Sequence, residues 1–241
     1  VALAWAITGG GHFLNETFEV FRKLKASKPN LKVTAYLSRA GWEVVRIYGL
    51  RQTLSEICPG GHLEEILVSA EDAFPKAGRF HLGLYKALIV APATTNTIAK
   101  IVHGIADTLV TEAVSQAQKA GVPVYVLPTD VKPEGAETVL PYTVDREKCL
   151  GCTPCPPAEK CPYGAIAVEG GKARILLEKC WGCGICIPLC PYGAISFGKR
   201  IHVRMRWIDI LNLQELKRME GVKVLESPAK LEETLKEILS T

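Results

Sequence analysis

The sequence predicts an α/β fold, a doubly wound parallel sheet, with a cysteine-rich segment set into its C-terminal half. Three observations lead there. Short apolar runs alternate with stretches of helical periodicity over residues 1–130 and again beyond residue 200, which is the pattern of successive βαβ units. The runs are continuously apolar rather than alternating, as strands buried on both faces are. Gly, Pro, Ser and Thr gather where each run ends, so turns and loops line up on one edge of the sheet. Composition agrees: 48% of the 241 residues are hydrophobic and 22% charged, with a mean hydropathy of +0.13, enough apolar material for a packed core and too little charge for a disordered chain.

The elements follow in order. Residues 1–7 form a buried strand, closed by Thr8-Gly9-Gly10-Gly11-His12. An amphipathic helix then runs from Leu14 to Lys25, with Leu14, Phe18, Phe21 and Leu24 on one face. Lys32–Leu37 is the second strand, ending at Ser38-Arg39, and Gly41–Tyr48 is helical. Glu64–Val68 is a short candidate strand and Leu88–Ala91 a buried one that enters Pro92-Ala93-Thr94-Thr95-Asn96-Thr97. A helix is expected from Ile98 to His103, and another, capped by Asp107, to Ala120. Val122–Leu127 is a fifth strand. After the cysteines, Ile201–Trp207, a helix near Leu211–Arg218, a strand at Val222–Leu225 and a helix from Pro228 to Leu239 read as a return to the α/β unit.

No apolar run approaches the ~20 residues of a membrane span, and the longest, Ala87–Ala93, contains Pro92. The N-terminus shows no basic region leading into an apolar stretch and a cleavage site, so a cytoplasmic location is expected. A glycine turn between a strand and a helix suits a phosphate, because backbone N–H groups and a helix N-terminus point at it. The G-x-G-x-x-G dinucleotide pattern is absent, and an ordinary turn remains an equal reading at this stage.

Eight of the nine cysteines lie between Cys149 and Cys190. The second run, Cys180-x2-Cys183-x2-Cys186-x3-Cys190-Pro191, matches the iron–sulfur pattern C-x2-C-x2-C-x3-C-P. The first, Cys149, Cys152, Cys155 and Cys161-Pro162, is the same pattern with two extra residues before its last cysteine. Cys-Pro-Tyr-Gly-Ala-Ile occurs at 161–166 and again at 190–195, so the halves repeat. Zinc knuckles would space two C-x2-C pairs further apart, without the following prolines. The segment resembles the bacterial-type ferredoxins with two [4Fe–4S] clusters, and the resemblance implies a crossed ligand set. Cluster I takes Cys149, Cys152, Cys155 and Cys190, and cluster II takes Cys180, Cys183, Cys186 and Cys161. Gly151, Gly182 and Gly184 would turn amides toward the sulfurs. Eight thiolates and two cluster cores bring the formal charge from +4 to near neutral, and no basic stripe with interleaved aromatics exists, so nucleic acid is rejected as a partner. Cys58 stands apart in Ile-Cys-Pro-Gly-Gly and reads as a buried or loop thiol.

The stretch from Ala91 to Leu109, with Pro92-Ala93-Thr94-Thr95-Asn96-Thr97 followed by Gly104-x-x-Asp107-x-Leu109, resembles the FMN-binding flavoprotein family that includes cysteine decarboxylases. Thr8-Gly9-Gly10 and Ser38 stand where that family closes its first and second strands. The resemblance covers roughly residues 1–130. It implies that Thr8, Gly9, Gly10 and Ser38 approach the phosphate and ribityl of FMN, and that Pro92, Ala93, Thr94, Thr95, Asn96 and Thr97 hold the isoalloxazine side. The ordinary alternative for Asn96 and Thr97 is a helix N-cap. Two departures argue against decarboxylation. His81 lies closer to Pro92 than the decarboxylases' histidine does, and Pro128-Thr129-Asp130-Val131-Lys132 replaces their Pro-x-Met-Asn segment.

An FMN unit joined to a two-cluster ferredoxin resembles the archaeal iron–sulfur flavoproteins of the dihydromethanopterin reductase (acceptor) type. The expected units are a flavoprotein part over 1–143, a ferredoxin-like insertion over 144–198 and a flavoprotein return over 199–241. The expected cofactors are FMN and two [4Fe–4S] clusters, the donor reduced ferredoxin, the substrate a pterin, and the assembly a homo-oligomer. His12 and Asp130 are candidates for orienting the proton, each weighed against a plain loop role. The alternative function is an electron-transfer protein relaying between ferredoxin and another protein, with no organic substrate of its own.

Overall fold

The computed structural model describes residues 1–68, 76 and 78–240. Its centre is a six-stranded parallel sheet built from β1 (Ala2–Ile7), β2 (Lys32–Leu37), β3 (Ile66–Leu67), β4 (Leu88–Ala93), β5 (Val124–Pro128) and, late in the chain, β12 (Val222–Val224). The order is β12-β5-β4-β1-β2-β3. The chain therefore winds outward from β1 in one direction, then crosses over to β4 and winds the other way. That reversal falls between β1 and β4, and doubly wound sheets bind ligands outside the carboxyl ends of the strands at such a point.

The continuous apolar runs explain the sheet. Every residue of β1 and β4 is buried, because helices cover both faces. On one face lie α1 (Leu14–Ser27), α2 (Arg39–Ile47), α3 (Arg51–Ile57) and α9 (Pro228–Ile238). There Trp5 of β1 stacks on Phe21 of α1 at 4.0 Å, and its indole N–H donates to the Ala91 carbonyl at 2.8 Å. On the other face lie α4 (Thr95–Val102), α5 (Leu109–Lys119) and α8 (Trp207–Arg218).

The remaining strands stand outside this sheet. β6 (Ala136–Val139) pairs antiparallel with β11 (Arg200–Val203). Beyond it come β7 (Thr143–Val144), α6 (Pro156–Lys160), β8 (Ile166–Glu169), β9 (Lys172–Ile175), α7 (Cys186–Leu189) and β10 (Ile195–Ser196). β7 pairs with β10 and β8 with β9, all antiparallel, around a small core of their own.

Three expectations need correction. Ile201–Trp207 does not rejoin the main sheet: Arg200–Val203 is half of the β6–β11 ribbon, and the sheet is regained at β12. Neither ribbon strand has a buried residue, so neither could serve as a parallel strand covered on both sides. α4 starts at Thr95, not Ile98, because Thr94 takes the extended cap conformation and its side chain accepts from the Thr97 amide. The cap of α5 is Thr108, whose hydroxyl accepts from the Thr111 amide at 3.2 Å. Asp107, one residue early, instead pairs with Lys100 at 2.7 Å. Among the described residues, no helix is long and apolar enough to cross a membrane.

Candidate functional site

The sheet rim is assembled by hydrogen bonds between loops far apart in sequence. Thr8, buried at the end of β1, donates its hydroxyl to the Pro92 carbonyl at 2.8 Å and accepts the Thr94 amide at 2.9 Å. One side chain thus ties the glycine turn to the Pro92–Thr97 loop. Thr129, after β5, donates its amide to the Ala93 carbonyl at 2.8 Å. Ser38 caps α2, accepting the Gly41 amide at 2.9 Å, which is worth about 1 kcal/mol to the helix. Thr8, Gly9, Gly10, Ser38 and Pro92–Thr97 are therefore neighbours on one edge. Pro92, Ala93 and Thr97 are buried, whereas Asn96 is exposed. The cap of α4 falls to Thr94 rather than to Asn96 or Thr97.

The glycines are demanded by this packing. A Cβ on Gly9 would sit 2.6 Å from Ala40 Cβ, and one on Gly10 would overlap Thr129 Cγ2. Among the described residues, the amides of Gly9, Gly10, Gly11 and His12 donate to no acceptor. Phe13, at φ 61°, precedes α1 without a side-chain cap, in a left-handed conformation costing roughly 1–2 kcal/mol. Four amides without a partner, next to a helix N-terminus, are the kind of donor set that binds anions, so these residues fit the phosphate of a flavin mononucleotide. His12 is half-buried, its ring 3.8 Å from that of Phe13. Asp130 is half-buried too and accepts the Thr129 hydroxyl at 2.7 Å.

The cysteines gather into two sets. Cys149, Cys152, Cys155 and Cys190 line one cavity. Cys161, Cys180, Cys183 and Cys186 line a second. The last cysteine of each run thus faces the other run. Among the described residues, no three His, Cys, Asp or Glu side chains converge as a single metal ion would need; the thiols stand around a volume instead, which suits a polynuclear centre. Gly151, Gly182 and Gly184 have φ of 72°, 66° and 77°. Amides of Ala173, Ala165 and Ala194 donate to the sulfurs of Cys149, Cys161 and Cys190 at 3.3, 3.3 and 3.4 Å. The Ala173 amide holds the Cys149 thiol below its usual range. Burial pushes the Cys180 thiol up and that of Cys186 up to about 11.

Cys58 belongs to neither set. It is buried under the sheet, and burial pushes its thiol up to about 12. In the native protein it should resist iodoacetamide at pH 8 and react on unfolding, as mass spectrometry would show; labelling as fast as that of a free thiol would contradict the burial. His81 is exposed, with Nε2 2.8 Å from Gln116 Oε1, away from the rim.

Two contributors lay beyond sequence reasoning. The Tyr48 ring closes over Gly11, where a Cβ would meet its Cζ at 2.9 Å. Arg46 reaches from α2 to the carbonyls of Cys180 and Leu177. Nothing in the local pattern marks either, since both are ordinary residues near the end of an amphipathic helix.

Comparison with known proteins fits this division. The flavoprotein family model matches residues 1–148, and the model of the 4Fe–4S binding domain matches residues 173–196. A dihydromethanopterin reductase (acceptor) of Methanosarcina mazei is 50% identical over 94% of this chain and 95% of its own. One from Methanocaldococcus jannaschii is 46% identical over 94% of this chain and 92% of its own. Among solved structures, Burkholderia xenovorans DmrB, described as a cubic protein cage for redox transfer, aligns with a TM-score of 0.61 at 22% identity, over 100% of this chain and 95% of that one. The same protein has been solved in complex with FMN. By sequence and by family model, the chain belongs to the flavoprotein family, in the group of the archaeal dihydromethanopterin reductases (acceptor), and carries a 4Fe–4S binding domain in its C-terminal part.

Proposed function

We propose that this protein is an iron–sulfur flavoprotein oxidoreductase that takes single electrons through two [4Fe–4S] clusters to FMN and reduces 7,8-dihydromethanopterin to tetrahydromethanopterin. The observation that carries the reading is one chain holding two cysteine-lined cavities and an anion-ready sheet rim, in a group whose members share that activity in name. Cluster I is assigned to Cys149, Cys152, Cys155 and Cys190, and cluster II to Cys180, Cys183, Cys186 and Cys161. FMN is assigned to Thr8, Gly9, Gly10, Ser38 and Pro92–Thr97. The ferredoxin-like unit is taken as an insertion over 144–198 between flavoprotein parts 1–143 and 199–241; the antiparallel β7–β10 pair at its two ends supports this.

When bound, the clusters supply electrons singly and the flavin delivers them as a pair, which a pterin C=N bond requires together with two protons. The chain's residues bind and orient. The free amides of Gly9–His12 neutralise the phosphate, and Thr8 holds the glycine turn and the Pro92–Thr97 loop at fixed separation. Asp130, anchored by Thr129 beside Gly10, and His12 are the side chains at the rim proposed to orient a proton. Reduced ferredoxin is the proposed donor and the cytoplasm, whose thiols stay reduced, the proposed location. A homo-oligomer is supported by Trp207, 72% exposed at the start of α8 beside exposed Ile208.

Anaerobic mixing of photoreduced protein with dihydromethanopterin tests the proposal. The expected result is return of the oxidised flavin band with one pterin reduced per two electrons. If the flavin stays reduced with pterin but is reoxidised by an oxidised protein acceptor, the electron-carrier reading replaces this one.

A further inference from the structure

We infer that the cavity of Cys161, Cys180, Cys183 and Cys186 is the one that hands electrons to the flavin rim, the other cavity being the inlet, and that Arg46 is the positioning residue that fixes this order. The inference rests on the two-cluster, FMN reading above and deepens it by giving the electrons a direction.

The first observation is a buried charge without a counter-charge. Arg46 is 8% exposed, yet no carboxylate among the described residues lies within ion-pair distance of it. Its guanidinium donates to two carbonyls, those of Cys180 and Leu177, the latter at 3.2 Å, and lies 5.7 Å from the Trp181 ring centroid. A buried cation is costly unless something balances it. Four thiolates around an iron–sulfur core carry net negative charge, and Cys180 is one of the four. Arg51 adds a second cation, 4.8 Å from the same indole. Both arginines come from the flavin-binding unit, and Trp181 lies within the second cysteine run.

The second observation is backbone contact. A Cβ on Gly182 would sit 2.6 Å from the Ile47 carbonyl, and one on Gly49 2.8 Å from the Gly182 carbonyl. The loop between Cys180 and Cys183 therefore rests directly on the turn after α2, the helix that begins at Ser38 on the rim. The third is a packed aromatic path. Tyr142 lines the same cavity and donates to the Gly182 carbonyl at 2.9 Å. Its ring is 5.0 Å from Phe197, which is 5.3 Å from Tyr48, and Tyr48 closes over Gly11 of the rim. Among the described residues, the first cavity has no such aromatic or backbone link to the rim. It is bordered by Leu150 and Tyr192, 65% and 48% exposed, a more open apolar rim for a donor protein than Tyr163 and Ile185 make at the second cavity, 43% and 42% exposed. Its own cation, Lys172, donates to the Cys149 carbonyl at 2.6 Å from within the ferredoxin-like unit. Each transfer then moves one electron from the second-cavity cluster to the flavin, and two transfers with protons from water complete its reduction.

An EPR-monitored redox titration of the holoprotein tests this without turnover. Net charge near a cluster sets its potential. Arg46→Gln should lower the midpoint of one cluster by about tenfold in electron occupancy, 59 mV for one electron, and Lys172→Gln should move only the other. The cluster moved by Arg46→Gln should be the one missing from Cys161→Ser protein. Arg46→Lys should restore the potential, and Arg51→Gln, at an exposed position, should shift the same cluster about threefold in occupancy. Stopped-flow reduction of the flavin should slow about tenfold in Arg46→Gln and stay unchanged in Lys172→Gln. If Arg46→Gln and Arg51→Gln move neither cluster, or move the one missing from Cys190→Ser protein, the inference falls while the two-cluster reading stands. Wild-type protein lacking a second cluster signal would instead remove that reading.

Discussion

Replacing Cys161 by serine should remove one cluster and leave the other, and the cluster lost should be that of the second cysteine run. Cys161 closes the first run in sequence, but in space it lines the cavity of Cys180, Cys183 and Cys186. Iron should fall to about four atoms per chain, with the visible absorbance about halved. Cys190→Ser should do the same to the other cavity. Single variants alone do not separate crossed from sequential ligation, because either loses one cluster. Pairs do. With crossed ligation, Cys152→Ser/Cys161→Ser strikes both cavities and loses nearly all iron, whereas Cys161→Ser/Cys183→Ser strikes one and keeps about four atoms. Retention of about four iron atoms by the Cys152/Cys161 pair would overturn the assignment. Metal binding and folding are coupled in small metal-dependent units, so the second pair also shows that one cavity survives loss of its neighbour.

Much of this architecture is legible in the sequence. β1 and β4 announced themselves because a strand buried on both faces has no polar positions to interrupt its run. Cysteine spacing was equally readable, since wrapping a cluster corner imposes it locally. Helix starts were less so. Thr94 against Ile98, and Thr108 against Asp107, turn on which residue adopts the extended cap conformation, and neighbouring Thr and Asp residues have similar cap preferences. The β6–β11 ribbon is hard to read because its Ile201 and Val203 have the residue types of a sheet strand, although neither is buried. Least legible were Arg46 and Tyr48. Arg46 meets Cys180 across 134 residues of chain, and Tyr48 reaches the Val139 carbonyl across 91. No local pattern encodes a contact between units that the sheet order brings together. Thr129 belongs with them: its methyl lies against Gly10 only because β5 and β4 are adjacent.

That contact yields the second large effect. Gly10→Ala should weaken FMN binding by about 100-fold while leaving the iron content unchanged. The added Cβ overlaps Thr129 Cγ2 and comes within 3.3 Å of Thr94 Cγ2, where carbon atoms prefer roughly 3.5–4.0 Å. Thr129 has little freedom to yield. It is 7% exposed, its amide is bonded to Ala93 and its hydroxyl to Asp130. The glycine turn must therefore move, carrying the amides of Gly9–His12 off the position where they meet a phosphate. Overpacking of this kind costs about 1–3 kcal/mol of stability, whereas loss of several aligned, charge-assisted hydrogen bonds falls on the ligand, at roughly 1.5–3 kcal/mol each. Calorimetric titration of flavin-free protein with FMN reads the affinity, and iron analysis reads the other unit. Thr129→Ser decides the cause, because it keeps the hydroxyl that holds Asp130 and deletes the methyl that Gly10→Ala strikes. The double variant should recover most of the lost affinity. Wild-type affinity in Gly10→Ala would show that the turn's amides do not hold the phosphate; weak binding in both would place the defect in the glycine's own backbone rather than in its packing against Thr129.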